Sequence, residues 1–410
     1  MYFIYNILIL IVAFSLKIVA FLNKKINLFV EGRSLTFSKL TAAISKEDMV
    51  IWMHCASLGE FEQGRPIIEK LKVQYPTYKL VITFFSPSGY EIRKNYEVAD
   101  VVCYLPLDSK KNAKQFLTVV HPSFAIFVKY EFWPNLLKEL QNKKIKTILV
   151  SGIFRKDQVF FKWYGGWMRK SLTAFSHFFV QDKNSKELLE SIHFQNITLS
   201  GDTRFDRVFE ITKQNNTLDF IAEFKSNSYT LVAGSTWKED EDLLVEYINN
   251  KASENEKFII APHNIKAKEI EELKNSIAKK TVLFSEKENK NLKDFQVFII
   301  DTVGILTKIY NYANIAYVGG GYTKSGIHNV LEPATFGVPI VIGPNYQKFN
   351  EAIELVRNKA CFVVDNSQKL SVLLDEFYQD KQKRDLAGSN ALNYVINNTG
   401  ATSKILNFIK

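Results

Sequence analysis

At 410 residues the chain is too long for one ordinary core, and domains of about 200 residues each are the expectation. A hydrophobic content of 46% with only ten prolines is that of a globular protein, and a formal charge of +10 points to an anionic partner such as nucleic acid, acidic lipid or a phosphorylated substrate. Cys55, Cys103 and Cys361 have no metal-ligand spacing and cannot build a disulfide framework, which fits a reducing compartment; there is no zinc or haem motif and no P-loop.

Residues 1–22, MYFIYNILILIVAFSLKIVAFL, are apolar except for Asn6, Ser15 and Lys17, and Lys24 and Lys25 follow at once. A cleaved signal peptide would carry a basic start and a small-residue cleavage site, neither of which is present. About 20 apolar residues suffice to cross a bilayer, and positive charge on the C-terminal flank would leave the body in the cytoplasm. Lys17 makes an interfacial, partly inserted helix the alternative, and a buried packing helix is the bland reading.

From residue 48 onward short β-rich runs alternate with helix-length segments. The first series is 48–54, 79–85, 101–105, 123–128, 146–150 and 176–180. The second is 229–234, 257–261, 281–284, 296–300, 314–318, 338–342 and 361–364. Continuous apolar strands spaced by helices indicate buried parallel sheets made of βαβ units. The expected fold is therefore α/β, with two doubly wound Rossmann-like domains facing across a cleft. Domain bounds are read as 23–212, a linker at 213–226 around KQNNTLDF, and 227–390. Residues 391–410 are read as a C-terminal helix able to pack back on the N-terminal domain.

Ligands of doubly wound sheets bind beyond the carboxyl ends of the strands, and four stretches there are unusual. HCASLGE (54–60) and VKYEFWPN (128–135) present Glu60 and Glu131. AGSTWKEDE (233–241) runs into a Gly-Ser-Thr turn. YVGGGYTKSGIHNVLEPATFGVPIVIGP (317–344) joins a strand, a glycine-rich loop, a helix and another strand. Gly319, Gly320 and Gly321, with Ser325 and Asn329, could cradle a phosphate, and Glu332 could accept from sugar hydroxyls. Each has a bland counterpart: the glycines as a tight turn, Ser235 and Thr236 as an N-cap pair with Glu239 completing a capping box, Glu60 as a helix-start carboxylate. His54 and His263 fall at strand ends, where histidines are more often structural than catalytic.

Taken together, HCASLGEFEQ, KYEFWPN, AGSTWKEDE, APH (261–263), DTVG (301–304) and the HNVLEP block resemble the 3-deoxy-D-manno-octulosonic acid (Kdo) transferases of lipopolysaccharide synthesis. The resemblance runs from the apolar N-terminus to near residue 390. It implies a GT-B glycosyltransferase with CMP-Kdo as donor, a lipid A precursor as acceptor, no bound metal or other cofactor, and a place on the cytoplasmic face of the inner membrane. It puts the general base at Glu60 and a second important acid at Glu131. Ser57 and Gly59 fall on the acceptor side; Ser235, Thr236, His263, Gly319, Gly320, Gly321, Ser325, Asn329 and Glu332 fall on the nucleotide-sugar side. Three departures stand out: APHNIK where the family commonly has PRHPER, DTVGIL with Ile305 in place of an acid, and Tyr130-Glu131-Phe132 in place of Thr-Glu-Leu. Lys266 or Lys268 is the available substitute for the missing arginine.

The resemblance and the chemistry agree on direct, inverting displacement, in which a carboxylate takes the proton of an alcohol too weakly acidic to attack unaided. Glu131 would either hold the acceptor or orient another side chain. FRKDQVFFKWYGGWMRK (154–170) mixes basic and aromatic residues as a membrane interface and lipid phosphates favour. Arg155, Lys162, Arg169 and Lys170 are its candidate phosphate contacts, with an ordinary amphipathic helix as the plain alternative. Nucleic acid fits the apolar N-terminus poorly. The competing functions are another GT-B protein, a UDP-sugar transferase or epimerase, or a non-enzymatic, basic, membrane-attached protein that binds acidic lipid.

Overall fold

The apolar runs form fourteen strands in two all-parallel sheets of seven. The computed structural model describes residues 1–410, and the chain divides into unit 1, Met1–Asp206 with Thr399–Lys410, and unit 2, Arg207–Asn398.

Unit 1 holds β1 (Val50–Cys55), β2 (Lys79–Phe84), β3 (Val101–Tyr104), β4 (Phe124–Val128), β5 (Lys146–Gly152), β6 (His177–Val180) and β7 (Ile197–Leu199), ordered 3-2-1-4-5-6-7. Alternate residues feed two layers. Trp52, Val81 and Phe127 pack on one face with Phe116 and Phe178; Met53, Ile82 and Val128 pack on the other with Phe61 and Ile68. Every residue of β1 is buried, because helices cover both faces of a central parallel strand. Helix Ala401–Ile409 belongs to this unit: Ile405, Leu406 and Ile409 join the second layer, and Asp206 accepts the amides of Gly400 at 2.5 Å and Thr402 at 2.7 Å.

Unit 2 repeats the plan with β8 (Tyr229–Thr236), β9 (Glu256–Pro262), β10 (Thr281–Leu283), β11 (Val297–Ile299), β12 (Ile315–Val318), β13 (Ile340–Ile342) and β14 (Cys361–Val363), ordered 10-11-9-8-12-13-14. Thirteen of the fourteen strands stand where the sequence places them. The missing one, β7, is a three-residue edge strand with no buried residue, so it lacks the apolar run by which a strand is recognised.

The segment expected as a linker, 213–226, is not one throughout. It contains the helix Asp219–Lys225, whose Ile221 and Phe224 lie in the core of unit 2 with Phe298 and Ile309. The polar residues of KQNNTLDF hid that apolar pair. Residue 390 is likewise no boundary, since one helix runs Lys381–Asn397.

Helix α1 (Tyr2–Ala20) has no buried residue, which excludes the reading of a core packing helix. A single stripe at Tyr2, Tyr5, Ile9, Ala13, Leu16 and Ala20 is half-buried, the three- and four-residue spacing of one helix face. After a turn at residues 21–23, α2 (Lys24–Ser34), capped by the Asn23 side chain, packs back against it.

Candidate functional site

In unit 1 the strand order reverses between β1 and β4, the place where a doubly wound sheet opens a crevice at its carboxyl end. The chain leaves β1 at Cys55 and starts the helix Leu58–Gln74 with Ser57 as an extended N-cap, and Glu60 closes a capping box on it. Glu60 Oε2 accepts the amides of Ala56 at 2.5 Å and Ser57 at 3.1 Å. Oε1 takes no hydrogen bond from the protein, so one oxygen caps and the other is available for chemistry. One turn on, Gly64 lets this helix close on the sheet: a Cβ there would lie 2.6 Å from Met53 Sδ. Gly59 lies in the open, with nothing near its missing Cβ.

From β4 the backbone turns through a left-handed Lys129 (φ 66°), a conformation that costs a non-glycine residue and collects at functional sites. Glu131 follows, and its Oε2 receives Trp133 Nε1–H at 2.9 Å and faces His54 Nε2 at 3.1 Å. His54, wholly buried, has its other ring nitrogen 2.9 Å from Thr83 Oγ1. Trp52 Nε1–H donates to that hydroxyl oxygen at 2.9 Å, the same His54 nitrogen also lies 3.1 Å from the Thr83 carbonyl oxygen, and Nε2–H faces the Glu131 carboxylate as its acceptor. His54, set down as structural from its position, is thus a direct partner of the second acid.

Glu60 is 6% exposed. Burial pushes its carboxyl above the ordinary range, and the neighbouring Glu131 charge adds to the rise. The Ala56 amide, His54 and Lys129 work the other way. A carboxylate made more basic in this way suits proton abstraction near neutral pH.

The 154–170 stretch splits by environment. Phe154 and Phe160 are core, while Trp163 is 92% exposed and Tyr164 nearly half so. Only Gly166–Leu172 is α-helical, so the stretch is not one amphipathic helix. Arg155 lies over the Tyr130 ring at 5.8 Å. Arg169 donates to the Lys162 carbonyl at 3.0 Å, and Lys170 lines a cavity of about 570 Å³ with Tyr2, Lys138 and Trp167.

In unit 2 the order reverses between β8 and β12, and the remaining candidates gather at those strand ends. Ser235 is left-handed (φ 55°). The capping acid of helix Lys238–Asn250 is Asp240, not Glu239, because the helix starts two residues after Thr236. Thr236 instead donates to Glu241 at 2.9 Å. Asp240 is buried and accepts from Trp237 N (2.9 Å), Gly320 N (2.8 Å) and Tyr317 Oη (2.8 Å), tying the glycine loop to the helix start. The Gly319 amide is committed to the Gly234 carbonyl at 2.9 Å. A Cβ on Gly319 would come 2.4 Å from the Ser235 carbonyl, and one on Gly321 would come 2.5 Å from Gly343 Cα. Close backbone packing therefore accounts for these glycines, and the amides of Gly319 and Gly320 are not free for a phosphate.

Beside them three rings stack. Trp237 lies on His263 (4.7 Å, 19°), His263 on His328 (4.5 Å), and Trp237 Nε1–H donates to His328 Nε2 at 3.1 Å. Burial and the adjacent His263 push His328 down to about 4, which keeps Nε2 an acceptor. Ser325 bonds Thr323 at 2.7 Å; Glu332 receives Thr307 Oγ1 (2.8 Å) and Asn329 Nδ2 (3.0 Å). Each Glu332 oxygen keeps a second lone pair for a ligand hydroxyl. A cavity of about 470 Å³ opens beside Thr236 and Trp237, lined also by Pro262, Asn264 and Lys266. Lys268 does not line it; Lys266 pairs with Glu269 at 2.7 Å and Lys268 with Glu272 at 3.8 Å. Sequence reasoning missed Trp133, Trp237, Asp240 and His328, although all four lie inside the quoted motifs.

Residues 32–207 match the family described as 3-deoxy-D-manno-octulosonic-acid transferase (kdotransferase). The chain is similar to the bifunctional glycosyltransferase/methyltransferase of Fusobacterium nucleatum, at 26% identity over 372 residues. That match takes in 88% of this chain and 57% of the relative, so the chain spans little more than half of it. With the 3-deoxy-D-manno-octulosonic acid transferase of Aquifex aeolicus it shares 27% identity over 339 residues, 81% of this chain and 87% of that one. Among solved structures, UDP-GlcNAc 2-epimerase from Neisseria meningitidis aligns with a TM-score of 0.59 at 15% identity, covering 88% and 99% of the two chains, a likeness of fold alone.

Proposed function

We propose that this relative of the Kdo transferases is a glycosyltransferase that moves Kdo from CMP-Kdo to a lipid A precursor at the cytoplasmic face of the inner membrane. The observation that carries the reading is the acid pair at the β1/β4 reversal: Glu60 is nearly buried, anchored through one oxygen and open at the other. A capping residue alone would not require a neighbouring carboxylate held by histidine and tryptophan.

Glu60 Oε1 accepts the proton of the acceptor hydroxyl as its oxygen bonds to the anomeric carbon, and the bond from that carbon to the CMP phosphate oxygen breaks on the opposite side. General base assistance of this kind is worth roughly 10²–10⁴-fold. Glu131, held by His54 and Trp133, keeps Glu60 basic and takes a hydrogen bond from the acceptor sugar. The CMP moiety belongs to unit 2. With the Gly319 and Gly320 amides engaged, the phosphate falls to the Ser235 and Ser325 hydroxyls and to Lys266, which stands where the family's arginine is missing. Glu332 and Asn329 take the donor's hydroxyls.

The test is an assay of purified full-length protein with CMP-Kdo and a tetraacylated lipid A precursor, comparing wild type with Glu60→Gln. Transfer by the wild type and its loss in the variant is the expected result. A folded wild type that transfers nothing overturns the reading; an active variant overturns only the assignment of the base. Replacing CMP-Kdo with UDP-N-acetylglucosamine separates the competing sugar-nucleotide class.

A further inference from the structure

The apolar helix α1 is tied to the body of unit 1 at its start, and α2, which follows it, is tied there as well. At its start, Tyr2 Oη donates to Asn135 Oδ1 at 2.5 Å and Tyr5 Oη donates to Asp108 Oδ2 at 2.7 Å. Asp108 is itself buried and accepts the amides of Asn135 and Leu136, each at 2.9 Å, so this anchor belongs to the core of the unit. The Tyr2 ring lies under the ammonium groups of Lys110 and Lys138, at 5.4 and 5.1 Å, and Tyr5 rests against Trp167 at 5.8 Å. At its far end the chain turns through Phe21 and Leu22 and comes back along α2. In the second half of α2, Phe29 packs on Phe85 at 5.3 Å, and Arg33 donates to the Phe85 carbonyl at 2.7 Å.

A helix of 19 residues is about 28 Å long, close to the thickness of a hydrocarbon core. If it crossed a bilayer its two ends would lie on opposite sides of the membrane. Here the start of α1 and the second half of α2 dock on one folded unit, and crossing would tear Tyr2 and Tyr5 from Asn135 and Asp108.

We infer that residues 1–34 form a monotopic hairpin, with α1 lying in one leaflet of an anionic lipid surface and its Tyr2 end on the same side of the membrane as unit 1. The flank opposite the half-buried stripe supplies the lipid contact: Phe3, Ile7, Leu10, Phe14 and Ile18 are exposed, and Phe21 and Leu22 are 91% and 89% exposed at the turn. Basic residues bracket that flank. Lys17, Lys24 and Lys25 are exposed around the turn, and Lys138 and Lys170 line the 570 Å³ cavity at the anchored end. An apolar face bordered by lysines matches acyl chains below anionic headgroups. The inference holds whichever sugar the enzyme transfers.

Two measurements on the full chain test it. A single cysteine is placed in a short extension before Met1; the three native cysteines are buried and do not compete. In spheroplasts producing this protein, a membrane-impermeant maleimide should label the extension only after lysis. Labelling of intact spheroplasts overturns the inference in favour of a crossing helix. Purified protein is then floated with vesicles of phosphatidylcholine alone or mixed with phosphatidylglycerol. Binding should favour the anionic vesicles, weaken with salt, and fall on the order of tenfold or more in Phe21→Asp/Leu22→Asp. Unchanged flotation of that double variant, or an apolar flank covered by a second copy in lipid-free solution, overturns the lipid contact. Either result leaves the glycosyl-transfer assay unaffected, so the two readings fail separately.

Discussion

The two units fold a parallel sheet with the same reversal of strand order, yet they furnish the reversal in opposite ways. In unit 1 the crevice end carries charge: Glu60 and Glu131 stand together, one oxygen of Glu60 open, with a buried histidine at the back. In unit 2 the equivalent carboxylate, Asp240, is turned inward and spends its oxygens on backbone and a tyrosine. One helix start presents an acid outward, and the other uses an acid to sew a glycine loop in place. A doubly wound sheet thus fixes where a site lies, while the hydrogen-bond balance of the first helical turn decides whether its acid keeps a free oxygen or is tied into the scaffold.

The sharpest way to break this contrast is Glu60→Gln. Transfer should fall by roughly 10²–10⁴-fold with the thermal midpoint little changed, since the amide oxygen still caps the helix. Circular dichroism melts beside the transfer assay check it. In unit 2 the corresponding change, Asp240→Ala, should act through structure. Three donors, two of them buried, lose their acceptor, and the unit should lose on the order of 1–3 kcal/mol or more in denaturant unfolding, with weakened CMP-Kdo binding as a consequence. Gly321→Val drives a side chain into Gly343 and should cost about 1–3 kcal/mol by the same measurement.

Smaller effects should separate the partners of Glu60 by sign. As a base Glu60 works ionised, so kcat/KM falls as pH drops through its raised value, above the usual carboxylate figure of about 4.3. Glu131→Gln removes a like charge and should move this acid limb to lower pH. His54→Gln removes a group that favours the charged form and should move it to higher pH. Shifts of the same sign in a pH–rate series would sink this account of the pair. Least of all, Lys266→Ala should raise the KM for CMP-Kdo severalfold while Lys268→Ala leaves it unchanged, because only Lys266 reaches the cavity.

Most of the fold was legible because buried parallel strands are written as unbroken apolar runs, and β12 (IAYV) or β4 (FAIFV) admits little else. The exceptions have physical causes. The β7 strand sits half-exposed at a sheet edge, and Ile221 and Phe224 hide between polar neighbours. At the sites, positions were legible but partners were not. Glu60 and His54 are six residues apart in one motif, yet the link from His54 to Glu131 spans 77 positions and exists only once β1 and β4 lie side by side. Asp240 looked like one acid among several in an acidic turn; its selection by Gly320 and Tyr317 is a fact of tertiary closure. The capping and catalytic readings of Glu60 do not exclude each other, since Oε2 caps the helix and Oε1 takes no hydrogen bond from the protein.

The return of helix Ala401–Ile409 to unit 1 has a consequence for biosynthesis. All of unit 2 leaves the ribosome before Ile405, Leu406 and Ile409 exist to complete the layer that holds Phe61, Ile67 and Ile68. Unit 2 can close on itself as a nascent domain, whereas unit 1, begun earlier, keeps part of an apolar layer uncovered until these last turns dock. The helix bearing Glu60 rests on that layer. The support of that helix is therefore completed among the final events of folding.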